Sequence, residues 1–118
     1  MNIYIAGPMT GIPHFNFPLF NATALFWRLN GHNVFNPAER DNERHGKDIS
    51  AGNANGDPAQ ATKEHGFSLR EALAADTQYI CLEADTICML PGWENSAGAR
   101  AEHALAACLK HKIIYWWK

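Results

Sequence analysis

The sequence predicts an α/β domain built on a doubly wound parallel sheet of four to five strands, with helices on both faces. Three observations lead there. Short apolar runs of strand length alternate with longer stretches in which apolar residues recur at helical spacing. Glycine, proline and asparagine punctuate the joins between them. The 118 residues, 47% of them hydrophobic, are one domain's worth of chain and enough for a buried core.

Taken in order, Asn2 to Ala6 read as a short buried strand, followed by the loop Gly7-Pro8-Met9-Thr10-Gly11. Pro18 suits the first turn of a helix with Asn16 as its cap, and Phe20, Ala24 and Trp27 then recur at helical spacing. Gly31 is a natural stop, because glycine tolerates the left-handed conformation after a helix. Val34-Phe35 is a second short strand, closed by Asn36-Pro37. Residues 38–66 are a polar stretch rich in Gly, Asn, Asp and Ala, almost without core-forming residues. A connection of that length inside a compact domain is expected to be a functional lid or a mobile insertion. Ser68-Leu69-Arg70-Glu71 is a capping box, with Phe67 placed to pack on Ala72, and the helix it opens runs to about Glu83. Thr86 to Leu90 reads as a buried strand, stopped by Pro91-Gly92. A last helix runs from near Ser96 to about Lys110, and Lys112 to Trp117 is a final strand. The order β-α-β-(long loop)-α-β-α-β calls for right-handed crossovers and hence a parallel sheet.

Charge and composition narrow the function. The formal charge is -2 with no block of like charges, which argues against a nucleic-acid polymer as partner but leaves room for a small anionic ligand. Cys81, Cys88 and Cys108 are odd in number, irregularly spaced and set among apolar neighbours. They read as small buried hydrophobes rather than disulfide partners or metal ligands, in keeping with a reducing compartment. Met1 to Ile5 lacks a basic leader and runs straight into a strand pattern, and no apolar run approaches membrane-spanning length. A cytoplasmic protein with no membrane partner is expected. The histidines His14, His32, His45, His65, His103 and His111 are scattered without metal-ligand spacing, so neither metal nor cofactor is expected.

In such sheets ligands bind at the carboxyl ends of the strands, where strand order reverses. The loops Gly7 to Gly11, Asn36 to Glu39 and Pro91 to Gly98 belong to that edge. The first lets backbone approach a ligand closely but matches neither GxGxxG nor the Walker pattern. Two acids stand out by periodicity. Leu69, Leu73, Asp76 and Ile80 form one apolar stripe, and Gly98, Glu102, Leu105 and Leu109 form another with the same spacing. A carboxylate on a core-facing stripe costs several kcal/mol unless it is paired or solvated. Two of them suggest a polar cavity, although either acid on its own could cap a loop or pair with an arginine. Asp85, at a helix-to-strand junction, reads as a cap. Ser96 is either a plain N-cap or part of an anion site at a helix start. Tyr4 is either a core tyrosine or a partner for a carboxylate at the same edge. Arg40, Arg44, Lys47 and Asp48 read as solvated loop charges in preference to groups closing over a phosphate. Tyr115-Trp116-Trp117 reads as strand packing or a subunit interface.

Three segments together resemble the nucleoside 2-deoxyribosyltransferase superfamily. They are Tyr4-Ile5-Ala6-Gly7-Pro8-Met9-Thr10-Gly11, Asn36-Pro37-Ala38-Glu39, and Asp85 through Pro91-Gly92-Trp93-Glu94-x-Ser96-x-Gly98-Ala99-x-x-Glu102. The likeness is strongest to a small, largely uncharacterised branch found in phages and bacteria, and covers nearly the whole chain outside the long loop. It implies a flavodoxin-like, Rossmann-like sheet and cleavage of an N-glycosidic bond. Glu102 matches the attacking glutamate, Asp76 the aspartate that contacts the departing base or sugar, and Tyr4 the tyrosine that holds the nucleophile. Gly7, Pro8, Met9, Asn36, Pro37, Gly92, Trp93, Ser96 and Gly98 match the substrate-binding loops. Where free-nucleoside transferases tend to carry an aspartate, Ser96 resembles the serine of nucleotide-hydrolysing relatives. An aspartate there would repel a phosphate, whereas a hydroxyl at a helix start accommodates it. The resemblance therefore implies a (deoxy)nucleoside 5′-monophosphate as substrate, with free base released. The alternatives are a transferase moving the sugar between bases and a non-catalytic nucleotide-binding or sensing module. It also implies a homodimer or larger, since relatives complete their sites from a neighbouring subunit.

Overall fold

The computed structural model describes residues 1–40 and 69–116. The main elements follow in the order β1 (Asn2–Ala6), α1 (Phe17–Leu29), β2 (Asn33–Phe35), α2 (Leu69–Leu82), β3 (Thr86–Met89), α3 (Ala97–Cys108) and β4 (Lys112–Tyr115). The four strands are all parallel and lie in the order β2-β1-β3-β4. The chain winds from β1 outward to β2, then crosses back to β3 on the far side of β1. This is the doubly wound, flavodoxin-like arrangement, and its switch point lies between β1 and β3.

Strand alternation assigns the helices to opposite faces. Ile5 points to one side, where it packs with Phe15, Phe17, Phe20 and Ala24 of the α1 layer. Tyr4, Ala6, Phe35, Ile87 and Met89 point to the other, against Ile80 of α2 and Ala99 and Ala106 of α3. Because both faces are covered, Ile3, Tyr4, Ile5 and Ala6 are all buried, and β1 is the continuous apolar run expected of a central parallel strand.

Several boundaries and caps differ from the sequence expectation. Asn16 does occupy the position before α1, but it does not cap the helix. Its backbone is left-handed, at φ 62°, and its side-chain amide donates to the Pro8 carbonyl at 3.1 Å. His14 and Phe15 precede it at φ 55° and 54°, giving three consecutive non-glycine residues in that region. The left-handed region costs such residues roughly 1–2 kcal/mol each, less for asparagine. The turn carries the Phe15 ring into the core, and burying it returns about 2 kcal/mol. Gly31 sits at φ +87° after α1, as its stop role requires.

The expected polar loop does not begin at residue 38. Residues 37–40 form a helical turn, and Ala38 is fully buried in the α1-side core. The rest of that loop, with Arg44, Lys47 and Asp48, lies outside the described residues, as do Phe67, Ser68 of the capping box, and Trp117. α2 ends at Leu82, one residue short of the expected end, and α3 at Cys108. The inward stripe of α3 is Ala99, Glu102 and Ala106, while Leu109 is its C-cap and exposed.

The cysteine expectation is corrected. Only Cys88, on a central strand, is buried, whereas Cys81 and Cys108 are exposed thiols. Cys81 follows the inward-facing Ile80, so about 100° of helical rotation turns it outward. Cys108 closes α3 two residues beyond the buried Ala106. Asp85 is the junction acid expected, accepting from the Asn2 N–H at 3.1 Å and from the Thr86 hydroxyl at 2.7 Å. Trp116 packs its ring 5.0 Å from that of Phe26 and 5.9 Å from that of Trp27 on α1. Among the described residues no helix is long and apolar enough to cross a membrane.

Candidate functional site

The switch point creates the site. β1 and β3 continue into loops that diverge, because the connections from the two strands leave on opposite faces of the sheet. Gly7 makes the divergence possible: a Cβ there would lie 2.7 Å from the Leu90 Cβ, so the two strand ends approach this closely only without a side chain. The Leu90 N–H donates to the Ala6 carbonyl at 2.8 Å and extends the pairing to the mouth of the gap. Beyond it opens a cleft of about 810 Å³, within the range of small-molecule sites.

Most of the walls come from four places. β1 and its loop contribute Tyr4, Gly7, Pro8, Met9 and Thr10; α2 contributes Ala72, Leu73 and Asp76. Pro91, Gly92 and Asn95 follow β3, and Ser96, Gly98 and Glu102 open α3. Ser96 is the N-cap of α3, its hydroxyl oxygen accepting from the Ala99 N–H at 3.2 Å. As acceptor, it keeps its own proton for a ligand. A Cβ placed on Gly98 meets nothing within 4 Å, so the first turn of α3 faces open space.

The two inward-facing acids do meet at this cleft. Glu102 and Asp76 are buried, at 6% and 8% exposure, and both line it. The Tyr4 hydroxyl donates to Glu102 Oε2 at 2.7 Å across the interior, and the Asp76 carboxylate interacts with the same hydroxyl. Burial foremost, then the negative charges of Glu102 and Asp76, hold the Tyr4 pKa well above the usual phenol value. Tyr4 is therefore a neutral donor throughout the physiological range. Its ring is fixed by stacking on Phe35 at 5.5 Å and by contact with Tyr79 at 6.4 Å. The arrangement offers a carboxylate held by a short hydrogen bond, a second carboxyl group beside it, and a helix start with free donors, all on one cleft.

Two of the expected binding residues lie elsewhere. Asn36 is buried behind the site: its side chain accepts from the Ala38 N–H at 3.0 Å and donates to Asn21 Oδ1 at 2.9 Å. It is the cap of the helical turn that starts at Pro37, and only Pro37 reaches the cleft. Trp93 is not part of the cleft wall and stacks on His103 at 4.3 Å. His103 in turn lies 3.0 Å from the Tyr115 hydroxyl. Arg40 sits 4.9 Å over the Phe35 ring. The cleft also has an apolar wall of Ile12, Phe20 and Ala72, which the sequence does not single out, beside Leu73 of the Asp76 stripe. Thr10 and Asn95, which also line it, lie in loops that the sequence assigns to this edge. Among the described residues no group of three or more His, Cys, Asp or Glu is arranged to hold a metal ion.

No curated protein and no solved structure matches the chain. A family model described as a domain of unknown function (DUF4406) matches residues 1–115, nearly the whole length, and the chain belongs to that family.

Proposed function

We propose that the cleft binds a (deoxy)nucleoside 5′-monophosphate and that Glu102 cleaves its N-glycosidic bond, releasing free base. The observation that carries this reading is the buried 2.7 Å hydrogen bond from Tyr4 to Glu102 on the cleft wall. A short hydrogen bond from a neutral hydroxyl holds a carboxylate in one orientation, which is what a nucleophile at an anomeric carbon needs. Glu102 attacks C1′, the C1′–N bond breaks through an oxocarbenium-like transition state, and its electron pair leaves with the base nitrogen. That nitrogen takes a proton from an acid or a water, and we assign Asp76 to contact the departing base or sugar. Water then attacks the glycosyl ester, restoring the carboxylate and releasing the sugar phosphate.

The phosphate is assigned to the start of α3. Ser96, the free N–H groups of the first turn and the open space before Gly98 suit an anion there. A neighbouring subunit completing the site, in a homo-oligomer acting in the cytoplasm, belongs to the same reading. The test is incubation of pure protein with a panel of nucleosides and their 5′-monophosphates, with chromatography for free base. Release that Glu102→Ala abolishes supports the proposal. A new nucleoside formed on adding a second base would make the protein a transferase. Tight calorimetric binding with the ligand unchanged afterwards would make it a binding module and refute turnover.

A further inference from the structure

The left-handed turn at His14–Asn16 lies beside the loop that walls the cleft. Three features converge there. Gly7, Pro8, Met9, Thr10 and Ile12 line the cleft, so this one loop supplies a large part of its surface. The Asn16 amide donates to the Pro8 carbonyl at 3.1 Å, tying the first half of the loop to the start of α1. The second half is closed by backbone bonds, from the Ile12 N–H to the Met9 carbonyl at 3.1 Å and from the Phe15 N–H to the Ile12 carbonyl at 2.9 Å. Asn16 reaches Pro8 from a backbone at φ 62°, at the end of three successive left-handed residues. Phe15 and Phe17, buried at 4% and 3% exposure, hold that conformation from below. Local backbone strain maintained by surrounding packing is characteristic of places where a site is pre-organised.

We propose that Asn16 is a positioning residue of the site, holding the Gly7–Ile12 loop through the Pro8 carbonyl in its ligand-ready shape before ligand arrives. The consequence for ligand rests on the cleft being the nucleotide site; the consequence for loop order does not. A loop that is already ordered spends none of the binding free energy on being ordered. Asn16 differs in this from a helix cap, whose loss would weaken α1 and leave the loop alone.

Asn16→Gly separates the two roles, because glycine accepts φ 62° without strain and removes only the side-chain donor. The melting temperature is expected to fall by no more than the few degrees that one lost neutral hydrogen bond accounts for. Hydrogen exchange at the 7–12 amides is expected to speed up at least about fivefold, the equivalent of one neutral hydrogen bond of about 1 kcal/mol. Exchange in the β1 and α1 amides should be unchanged. Calorimetry with deoxynucleoside monophosphates is expected to show affinity weakened by about fivefold, and Asn16→Asp, which keeps the left-handed preference but sets an acceptor against the Pro8 carbonyl, should weaken it at least as much. Unchanged exchange at 7–12 in the glycine variant overturns the proposal. So does a loss of affinity that merely follows a fall in melting temperature. If the parent binds no nucleotide, the functional reading fails while the exchange measurement still decides the role of Asn16.

Discussion

Replacing Tyr4 with phenylalanine removes one oxygen from the centre of the site and leaves the ring stacking with Phe35 in place. The lost bond is short, buried and made to a carboxylate. Hydrogen bonds to charged groups contribute about 1.5–3 kcal/mol. At neutral pH the variant should be less stable by that order, and any base release should fall by roughly tenfold to a hundredfold. The pH dependence gives a sharper result. Tyr4 has its folded-state pKa raised well above the ordinary phenol value of about 10. Above about pH 10 the unfolded chain therefore loses a proton that the folded protein retains. The contribution of Tyr4 is fully present below that pH and is lost at about 1.4 kcal/mol per pH unit as pH rises towards the folded value. Tyr79, also raised chiefly by burial, contributes the same sign in both proteins and cancels in the comparison. Urea melts of parent and Tyr4→Phe at about pH 8, pH 10 and pH 11 should show the stability gap narrowing only above about pH 10. A gap that stays constant across that range would refute the assignment of Tyr4 as a buried neutral donor to Glu102.

Three further predictions follow from the geometry. Ser96→Asp keeps a good N-cap for α3 but sets a negative charge where phosphate is assigned. Calorimetry should show monophosphate affinity falling by about tenfold or more with nucleoside affinity retained, and equal effects on both would remove the phosphate from this position. Gly7→Ala drives a Cβ to 2.7 Å from the Leu90 Cβ. It should cost about 1–3 kcal/mol in chemical denaturation, and an unchanged midpoint would mean that the strand ends separate freely. Asn36→Ala removes the cap of the turn at 37–40 together with the bond to Asn21, and should cost about 1–2 kcal/mol. A variant that lost ligand affinity with no loss of stability would return Asn36 to the binding site.

How far the site was legible depended on what each residue's neighbours revealed. Asp76 and Glu102 were visible because a carboxylate on a helical apolar stripe is conspicuous, and both stripes face the same side of the sheet. Element order and crossover handedness call for a parallel sheet, and the loops at the carboxyl ends of its strands mark the edge where the cleft lies; the strand order itself is not legible in them. Asn36 lies off the cleft because a residue that ends a strand can face a ligand or serve the next turn, and local sequence does not separate the two. Trp93 opens a short helical turn after Gly92, and its stacking on His103 is a tertiary contact. Asn36 is spent on capping the turn at Pro37 and on bonding Asn21, and the second contact depends on how α1 packs beside β2. Cys81 and Cys108 were misjudged because apolar neighbours in sequence are not neighbours on a helix face. The role of Asn16 had no local signal at all. The chain 14–16 contains no glycine, and its left-handed course is imposed by burying Phe15 and Phe17, which is a tertiary effect.

The central claim is that Glu102 is the nucleophile of this cleft, and it is tested most directly by acid-quenching the protein during turnover of a deoxynucleoside monophosphate. Mass spectrometry of the digest is predicted to find the sugar phosphate esterified to the peptide carrying Glu102, with the adduct absent from Glu102→Ala. Turnover that leaves no adduct on that peptide, or places it on another residue, would contradict the account.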